Sequence, residues 1–400
     1  MPEAVIVATA RTPIGRANKG SLVDWRPDDL SALILKALLD KVPALDPALI
    51  EDVIWGCGQP AGEAGVNVGR VAAVLAGIDA PGVTVNRYCS SSLQTIRMAT
   101  HAIRAGEGDV FVAGGVETVS RFVNGMADDG PANPRFDDAR ARTKQRAEGG
   151  QEPWADAGGL ADVYIAMGQT AENVREAEQV SREEMDEFAA QSQQRAVAAQ
   201  ERGFFEREIT PVPLGDGQLM TKDDGPRADT TAEKLSALKP VFRPDGEVTA
   251  GNSCPLNDGA AAVVVMSDTK AADLGITPLA RVVASGVSSL NPEIMGLGPI
   301  EASRQALARA GMTIDQIDLV EINEAFAAQV IPSAKHLGIP WEKLNVNGGA
   351  IALGHPFGMT GARIMTTLIN GLEDAGKTYG LETMCVGGGQ GMAMIVERLG

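Results

Sequence analysis

V-T-V-N-R-Y-C-S-S-S-L-Q-T-I-R-M-A-T-H-A-I, residues 83 to 103, runs from a short β-like segment into a helix and puts a cysteine on the hinge between them. Val83 to Val85 reads as a buried strand end, and Leu93, Ile96, Ala99 and Ile103 recur at helical spacing. Ser90 to Ser92 are candidates to cap that helix. A thiol at this hinge faces unpaired N–H groups and the positive end of a helix dipole. Both favour thiolate over thiol, so a lowered pKa is expected for Cys89, and the same amides could cradle an oxyanion. A second reading stays open on this stretch alone: free cysteine is among the most buried residue types, and Cys89 could be a core thiol that happens to precede a helix. The rest of the chain has to supply partners.

Four hundred residues exceed one ordinary core and predict two or more domains of α/β or α+β type. The formal net charge of −17 argues against a nucleic-acid partner or an anionic membrane surface, so an anionic ligand has to be met by local groups. Cys57, Cys89, Cys254 and Cys385 are far apart and form no C-x-x-C pair, which implies neither a disulfide framework nor a metal site and predicts a reducing, cytoplasmic setting. The opening M-P-E-A-V-I-V-A-T-A-R-T-P reads as a strand and turn rather than a signal peptide. No apolar run is long enough to span a membrane. The final E-R-L-G is not a peroxisomal address.

Working outward from the hinge, strands and helices alternate: Val5 to Val7, then Leu30 to Leu39 as an amphipathic helix, then Val53 to Trp55. Asp109 to Ala113 follows the hinge helix and ends in Gly114 and Gly115. Beyond Arg121 the texture changes. Phe122 to Ala161 shows little periodicity, and Ser181-Arg182-Glu183-Glu184 is a capping box that opens a charged helix. Residues 121–249 are therefore expected to be a loop-rich excursion, after which Ala260 to Met266 resumes the first domain as a buried strand. A second half then repeats the first. Ala280 to Gly286 echoes Ala4 to Ala10, Ile317 to Ile322 echoes Ile50 to Trp55, Asn345 to Gly348 stands where Thr84 to Arg87 stood, and Met392 to Val396 closes as Val263 to Met266 did. Four matches in one order predict a duplicated α/β domain whose site lies at strand ends where the halves meet.

Three places in the second half carry chemistry at such ends. In E-I-N-E-A-F, Asn323 follows an apolar strand; it could equally cap the next helix. In G-G-A-I-A-L-G-H-P-F-G, His355 is held between Gly354 and Pro356, a backbone restricted enough to aim a ring. An imidazole is the usual partner that takes a proton from a nucleophilic thiol, although a solvent-facing loop histidine is the alternative. His101 and His336 sit in ordinary helical contexts and read as structural or surface residues. In M-C-V-G-G-G-Q-G, Cys385 ends a strand and opens a glycine run whose bare N–H groups can approach a ligand. A tight turn with a buried thiol would look the same. No P-loop lysine and no G-x-G-x-x-G opening a helix near the N-terminus appear, which rules out a nucleotide dehydrogenase.

Together, C-S-S-S-L at Cys89, N-E-A-F at Asn323, G-H-P-F-G at His355 and C-V-G-G-G-Q-G at Cys385 resemble the four signature stretches of the thiolase family. A-R-T-P-I-G at Ala10, M-G-Q-T-A-E-N at Met167 and L-N-D-G-A-A at Leu256 extend the resemblance over nearly the whole chain. It implies a thiolase-like α/β fold: two duplicated domains in a layered αβαβα arrangement, residues 1–120 plus 250–273 and residues 274–400, with a loop domain over 121–249. It also implies roles. Cys89 would be the nucleophile that carries the acyl group as a thioester, His355 would take its proton, and Cys385 would protonate the leaving enolate of acetyl-CoA. Cys89 N–H and Gly387 N–H would serve one oxyanion, while His355 and a water held by Asn323 would serve the other. Coenzyme A is implied as co-substrate, with no permanently bound cofactor and no metal. Arg227 resembles the adenine-side arginine; Met167, Phe242, Ser253, Cys254, Met295, Ala325 and Phe326 fall where the family lines its coenzyme A tunnel.

The chain departs from the biosynthetic subgroup at Ala166, where that subgroup has a histidine, at Cys254, where serine is common, and at Ser92, where glycine is usual. V-N-R-Y-C-S-S looks closer to degradative thiolases. The expected function is thiolysis of a 3-ketoacyl-CoA in lipid or sterol side-chain degradation by a homodimer or homotetramer. The alternatives are acetoacetyl-CoA synthesis and, outside enzymes, a silent acyl-CoA carrier.

Overall fold

The computed structural model describes residues 2–122, 130–150, 152–215 and 217–400. The first half runs β1 (Ala4–Arg11), β2 (Gly15–Arg16), α1 (Pro27–Asp40), β3 (Asp52–Gly56), α2 (Val68–Ala76), β4 (Gly82–Val85), α3 (Ser91–Ala105) and β5 (Val110–Thr118). An excursion follows, with α4 (Asp137–Ala147), α5 (Met167–Glu178), α6 (Arg182–Glu201), β6 (Val212–Pro213), β7 (Leu219–Met220) and α7 (Ala232–Ser236). The chain then returns as β8 (Asn257–Ser267) and α8 (Asp268–Asp273). The second half runs β9 (Ala280–Ser289), α9 (Gly298–Ala310), β10 (Leu319–Ile322), α10 (Ala327–Leu337), α11 (Ala350–Leu353), α12 (Thr360–Asp374), β11 (Tyr379–Val386) and β12 (Gln390–Arg398).

Local sequence accounts for these elements. α1 starts on Pro27 with Asp28 and Asp29 in its first turn and buries Leu30, Ile34, Leu35 and Leu38 on one stripe. α3 buries Leu93, Ile96, Ala99 and Ile103 and stops at Gly106, whose φ of 75° suits a left-handed cap. β8 is buried along its whole length, as its A-A-A-V-V-V-M run requires of a central strand.

Ten strands form one sheet in the order β10-β11-β12-β9-β1-β8-β5-β3-β4, with β2 on β8, and β6 pairs with β7 in a separate two-stranded sheet of the excursion. Read outward from its centre, each side repeats the same order: β1-β8-β5-β3-β4 on one flank, β9-β12-β11-β10 on the other. The halves join by a short antiparallel contact, Val5 with Arg281 and Ile6 with Ala280. Where β4 pairs with β3, the second half has only a parallel bridge of Val320 with Leu344. The duplication expected from four weak matches is therefore present in the topology.

Three cores make the layering explicit. One packs α1 and α2 on the outer face of the first flank, and another packs α9, α10 and excursion helices α5 and α6 on the outer face of the second. Between the flanks, Leu93, Ile96 and Ile103 of α3 and Ile364, Leu368 and Leu372 of α12 share a core with inward residues of both. The result is the α/β/α/β/α succession.

Three expectations need correction. β4 is a strand, but its four residues are only half-buried, because it ends the sheet and has a neighbour on one side alone. The stretch 122–161 contains a helix, α4, that was read as aperiodic; ten of its eleven residues are Asp, Arg, Lys, Gln, Thr or partly exposed Ala, and only Ala139 is buried. Residues 123–129 and 151 of that stretch lie outside the described residues. Ser90 to Ser92 do not cap α3: Ser90, at the cap position, makes no side-chain cap bond. Its hydroxyl donates to the Arg87 carbonyl instead, while Ser91 accepts from Arg87 N–H. The capping box Ser181 to Glu184 is present at the start of α6.

Candidate active site

The hinge before α3 is tightly built. Tyr88, immediately ahead of the cysteine, has φ of 43°, a left-handed conformation that costs a non-glycine residue about 1–3 kcal/mol. It is held there by a bond from its N–H to Asn86 Oδ1 at 2.8 Å and one from Ser91 Oγ to its carbonyl at 2.7 Å. Cys89 follows with 7% of its surface exposed. Backbone N–H groups of Cys89 and Gly387 reach its sulfur and stabilise the thiolate, yet burial outweighs them and pushes the thiol up to about 11. This corrects the expectation of a lowered pKa: the donors at the hinge are present, but the pocket's desolvation is larger. The resting group is a thiol.

His355 is buried, not solvent-facing. Its Nδ1 lies 2.6 Å from Thr360 Oγ1, and that hydroxyl donates to the Pro356 carbonyl at 2.8 Å. With its own proton committed, Thr360 accepts from Nδ1–H, which fixes the tautomer and leaves Nε2 unprotonated. Nε2 sits 3.3 Å from Asn323 Nδ2, a donor that suits an unprotonated nitrogen. Burial, reinforced by the Arg363 charge, pushes the imidazole down to about 3, so the ring is neutral and able to take a proton. Asn323 does not cap α10, which starts at Ala327 after an extended Phe326. Gln329 Nε2 donates to its backbone carbonyl at 2.7 Å, and its side-chain Oδ1 is buried without a protein partner among the described residues, as an atom aimed at a ligand or water would be.

The loops bearing these groups are stitched together across the halves. Ser92 Oγ in the first turn of α3 accepts from Ala362 N–H in the first turn of α12 at 2.9 Å. Arg87 Nη1 donates to Gln390 Oε1 at 2.8 Å, and Gln390 Nε2 donates to the Gly387 carbonyl at 3.1 Å. Cys385 is buried near the end of β11, and the turn after it is made by Gly388 and Gly389, with φ of 75° and 76°. Glycine adopts those left-handed values without a Cβ clash, and Gly387, just before them, sends its N–H to Cys89. The Cys385 thiol is raised well above its ordinary range by burial, and then by Cys89 and Cys254, so three thiols share one region.

Residues assigned to the coenzyme A tunnel fall into two groups. Met295, Ala325 and Phe326 are buried in one cluster against which Met167, Phe242 and Cys254 pack, and the Phe242 and Phe326 rings meet edge to face with 6.1 Å between centroids. Ser253 bridges Phe326, and Cys254 N–H donates to the Ala325 carbonyl at 3.0 Å. Arg227 stands apart from that cluster, exposed, with its N–H on Gln193 Oε1 at 2.8 Å. His101 and His336 are exposed, the latter 2.8 Å from Glu178.

Sequence reasoning missed several residues that build the site. Thr360 orients His355. Glu324 is buried and accepts from Ser192, Asn345 and Ile351 N–H at 2.6–3.0 Å, holding the segment after Asn323. Glu117 bonds both flanking loops. Thr360 and Glu117 lie outside the stretches that stood out by texture; Glu324 lies inside one but has no signal of its own. Among the described residues, no group of three or more histidine, cysteine or acidic residues is arranged to hold a metal ion, and no helix is long and apolar enough to cross a membrane.

Comparison with known proteins agrees with this arrangement. Residues 4–269 match the family model "Thiolase, N-terminal domain" and residues 276–398 match "Thiolase, C-terminal domain". A 3-ketoacyl-CoA thiolase of Pseudoalteromonas translucida is 46% identical, with all of both chains covered. A beta-ketoadipyl-CoA thiolase of Acinetobacter baylyi is 44% identical, again over all of both. Among solved structures, the acetyl-CoA acetyltransferase of Bacillus anthracis superposes with a TM-score of 0.87 at 39% identity, covering 100% of this chain and 99% of that one.

Proposed function

This chain belongs to the thiolase family, and we propose that it runs the family's thiolytic reaction through Cys89, His355 and Cys385. It is an acyltransferase of the thiolase fold. In the proposed sequence, Cys89 Sγ attacks the 3-keto carbon of a 3-ketoacyl-CoA while its proton passes to His355 Nε2. The bond between carbons 2 and 3 then breaks, and its electron pair becomes the enolate of acetyl-CoA. Cys385 donates its proton to carbon 2, releasing acetyl-CoA and leaving a thiolate. Coenzyme A enters as co-substrate, gives its thiol proton to that thiolate, and attacks the acyl group on Cys89. His355 returns its proton to the departing Cys89 sulfur, so protons balance over the cycle and no permanently bound cofactor is needed. Cys89 and Gly387 N–H groups serve the oxyanion on the acylated carbon, and His355 with a water on Asn323 serves the thioester enolate.

The observation that carries this reading is the neutral imidazole, locked by Thr360 with Nε2 unprotonated, on the buried loop between α11 and α12. Met167, Phe242, Ser253, Cys254, Met295, Ala325 and Phe326 would line the pantetheine path, and Arg227 would meet the adenine end. We place the chain in degradation of lipid or sterol side chains. Support comes from an open groove of about 550 Å³ beside Ala166, lined also by Ile165, Tyr164 and α4, which leaves room for a bulky acyl end. One feature favours a second reading. Arg140, which pairs with Asp137 at 3.5 Å, and Lys144 line the same groove as Asp137 and Asp162, and the two cations would meet the carboxylate of a 3-ketodicarboxylic acyl chain, the substrate type in the name of the Acinetobacter relative. A thiolysis screen from acetoacetyl through long-chain, steroid and 3-ketodicarboxylic CoA esters tests both. Turnover of long-chain or steroid esters supports the first reading; preference for the dicarboxylic ester, lost in Arg140→Ala/Lys144→Ala, supports the second. Turnover of acetoacetyl-CoA alone contradicts both and returns the chain to acetoacetyl-CoA synthesis.

The domain division 1–120 plus 250–273, 121–249 and 274–400 is proposed on the same footing, with coenzyme A meeting the middle segment. A homodimer or homotetramer in the cytoplasm is also proposed. β4 ends the sheet with half-exposed residues, and Val66, Val74 and Leu75 nearby are exposed, an arrangement a second copy would cover.

A further inference from the structure

We propose that Glu117 is a positioning residue for this reaction: its carboxylate clamps the loop after His355 to the loop after β3 and so sets how the imidazole meets Cys89. The proposal rests on the roles of Cys89 and His355 given above. Glu117 lies near the end of β5, 1% exposed. Its Oε2 accepts from Gly58 N–H at 2.7 Å and from Gly358 N–H at 2.8 Å, and Oε1 accepts from Gln59 N–H at 3.2 Å, with the Cys57 sulfur 3.5 Å away. Gly58 and Gln59 belong to the first half; Gly358 is three residues beyond His355. One oxygen therefore joins the two halves, three residues along the chain from His355.

The surroundings leave this clamp no slack. A methyl group on Gly58 would come within 2.8 Å of Phe357 Cβ and 2.9 Å of Glu117 Oε2, and 3.3 Å from the Tyr88 carbonyl. Phe357 in turn meets the His355 ring edge to face at 5.1 Å. A methyl group on Gly115, two residues before Glu117, would overlap the Gly358 carbonyl at 2.1 Å. Glu117, the β3 loop, Tyr88 and the 355–358 loop are thus in one packed unit. Among the described residues no cation pairs with the carboxylate: the ionisable groups that interact with it are Cys57 on the β3 loop and Cys89 at the hinge, both neutral at rest, and hydrogen-bond donors offset its burial. That balance leaves it at about 7, and when charged it opposes formation of a Cys89 thiolate.

Two variants separate geometry from charge. Glu117→Gln puts an amide where two N–H groups converge and removes the charge. Gly58→Ala displaces the clamp and keeps the charge. Both are compared with wild type for kcat, KM, thermal midpoint and the pH profile of Cys89 alkylation by iodoacetamide. Glu117→Gln is expected to lower kcat about 10–100-fold with KM within twofold, and to move the alkaline limb of alkylation to lower pH. Gly58→Ala is expected to lower kcat without moving that limb. A kcat within twofold of wild type in either variant, a loss no larger than the loss of folded protein, or an unmoved limb in Glu117→Gln overturns the proposal. Should Glu117→Gln fail to fold, the kcat of Gly58→Ala decides. Failure of the underlying roles reads differently, as turnover that survives Cys89→Ala.

Discussion

Burial pushes the Cys89 thiol up to about 11 and the His355 imidazole down to about 3, so at rest the proton stays on sulfur. In the proposed reaction the thiolate then forms as the sulfur–carbon bond forms, with Nε2 taking the proton. Alkylation of Cys89 by iodoacetamide in the ligand-free protein should therefore keep rising beyond pH 9 and show no inflection near 6.5, the ordinary histidine value. A rate already level from pH 6 upward would mean a resting thiolate–imidazolium pair. Cys89, Cys385 and Asn323 stood out in the sequence because each follows a strand at a transition to glycine or helix, and His355 because it sits in a glycine- and proline-bounded loop; the structure buries all four. The pKa of Cys89 was not legible in the sequence, because it is decided by how much solvent the second half excludes, and that depends on side chains more than 250 residues away. Thr360 and Glu117 were missed for a related reason: a threonine at the start of a helix and a glutamate near a strand end are ordinary until the fold places a ring or a loop against them.

Among the elements, α3 and α12 form the centre of the molecule, and a side chain of one satisfies the other's terminus. Ser92 Oγ accepts from Ala362 N–H, one of the orphan donors in the first turn of α12. Ser92→Ala should cost about 1 kcal/mol of stability, read as a lower urea midpoint, by analogy with loss of an N-terminal cap. An unchanged midpoint would mean that water replaces the hydroxyl without loss. Helical spacing made α3 legible, and the run A-A-A-V-V-V-M made β8 legible. α4 was not, since a helix packed by a single buried alanine carries no apolar stripe. The serines at 90–92 illustrate a further limit: composition proposed a cap for their own helix, and the fold uses Ser92 on another.

At the scale of the whole molecule, the two halves enclose charge as well as apolar surface. Glu321 and Glu382 are register partners on the parallel strands β10 and β11, and both are buried with Arg363 of α12 as the nearest opposing charge. Glu382 has no hydrogen-bond partner for either oxygen among the described residues. Burial raises both carboxyls, Glu321 to about 8. A carboxyl raised in the folded state contributes stability that is complete below its unfolded pKa, about 4.5, and is lost as pH rises through the folded value. Glu382→Gln, which cannot ionise, should therefore lose less stability than wild type between pH 5 and 8, measured by urea midpoints; an equal loss would contradict the assignment. The duplication was legible from four short echoes, whereas this buried charge was not, since E-I-N and L-E-T give no sign that their glutamates face each other across two strands. The proposed reaction needs the two halves to bring one thiol to one base, and trapping the acyl group tests that most directly. The protein is mixed with a 3-ketoacyl-CoA in the absence of free coenzyme A, quenched, digested and mapped by mass. The account predicts an acyl group two carbons shorter than the substrate's on the peptide containing Cys89, absent in Cys89→Ala; release of acetyl-CoA with the acyl group on another residue, or on none, would contradict it.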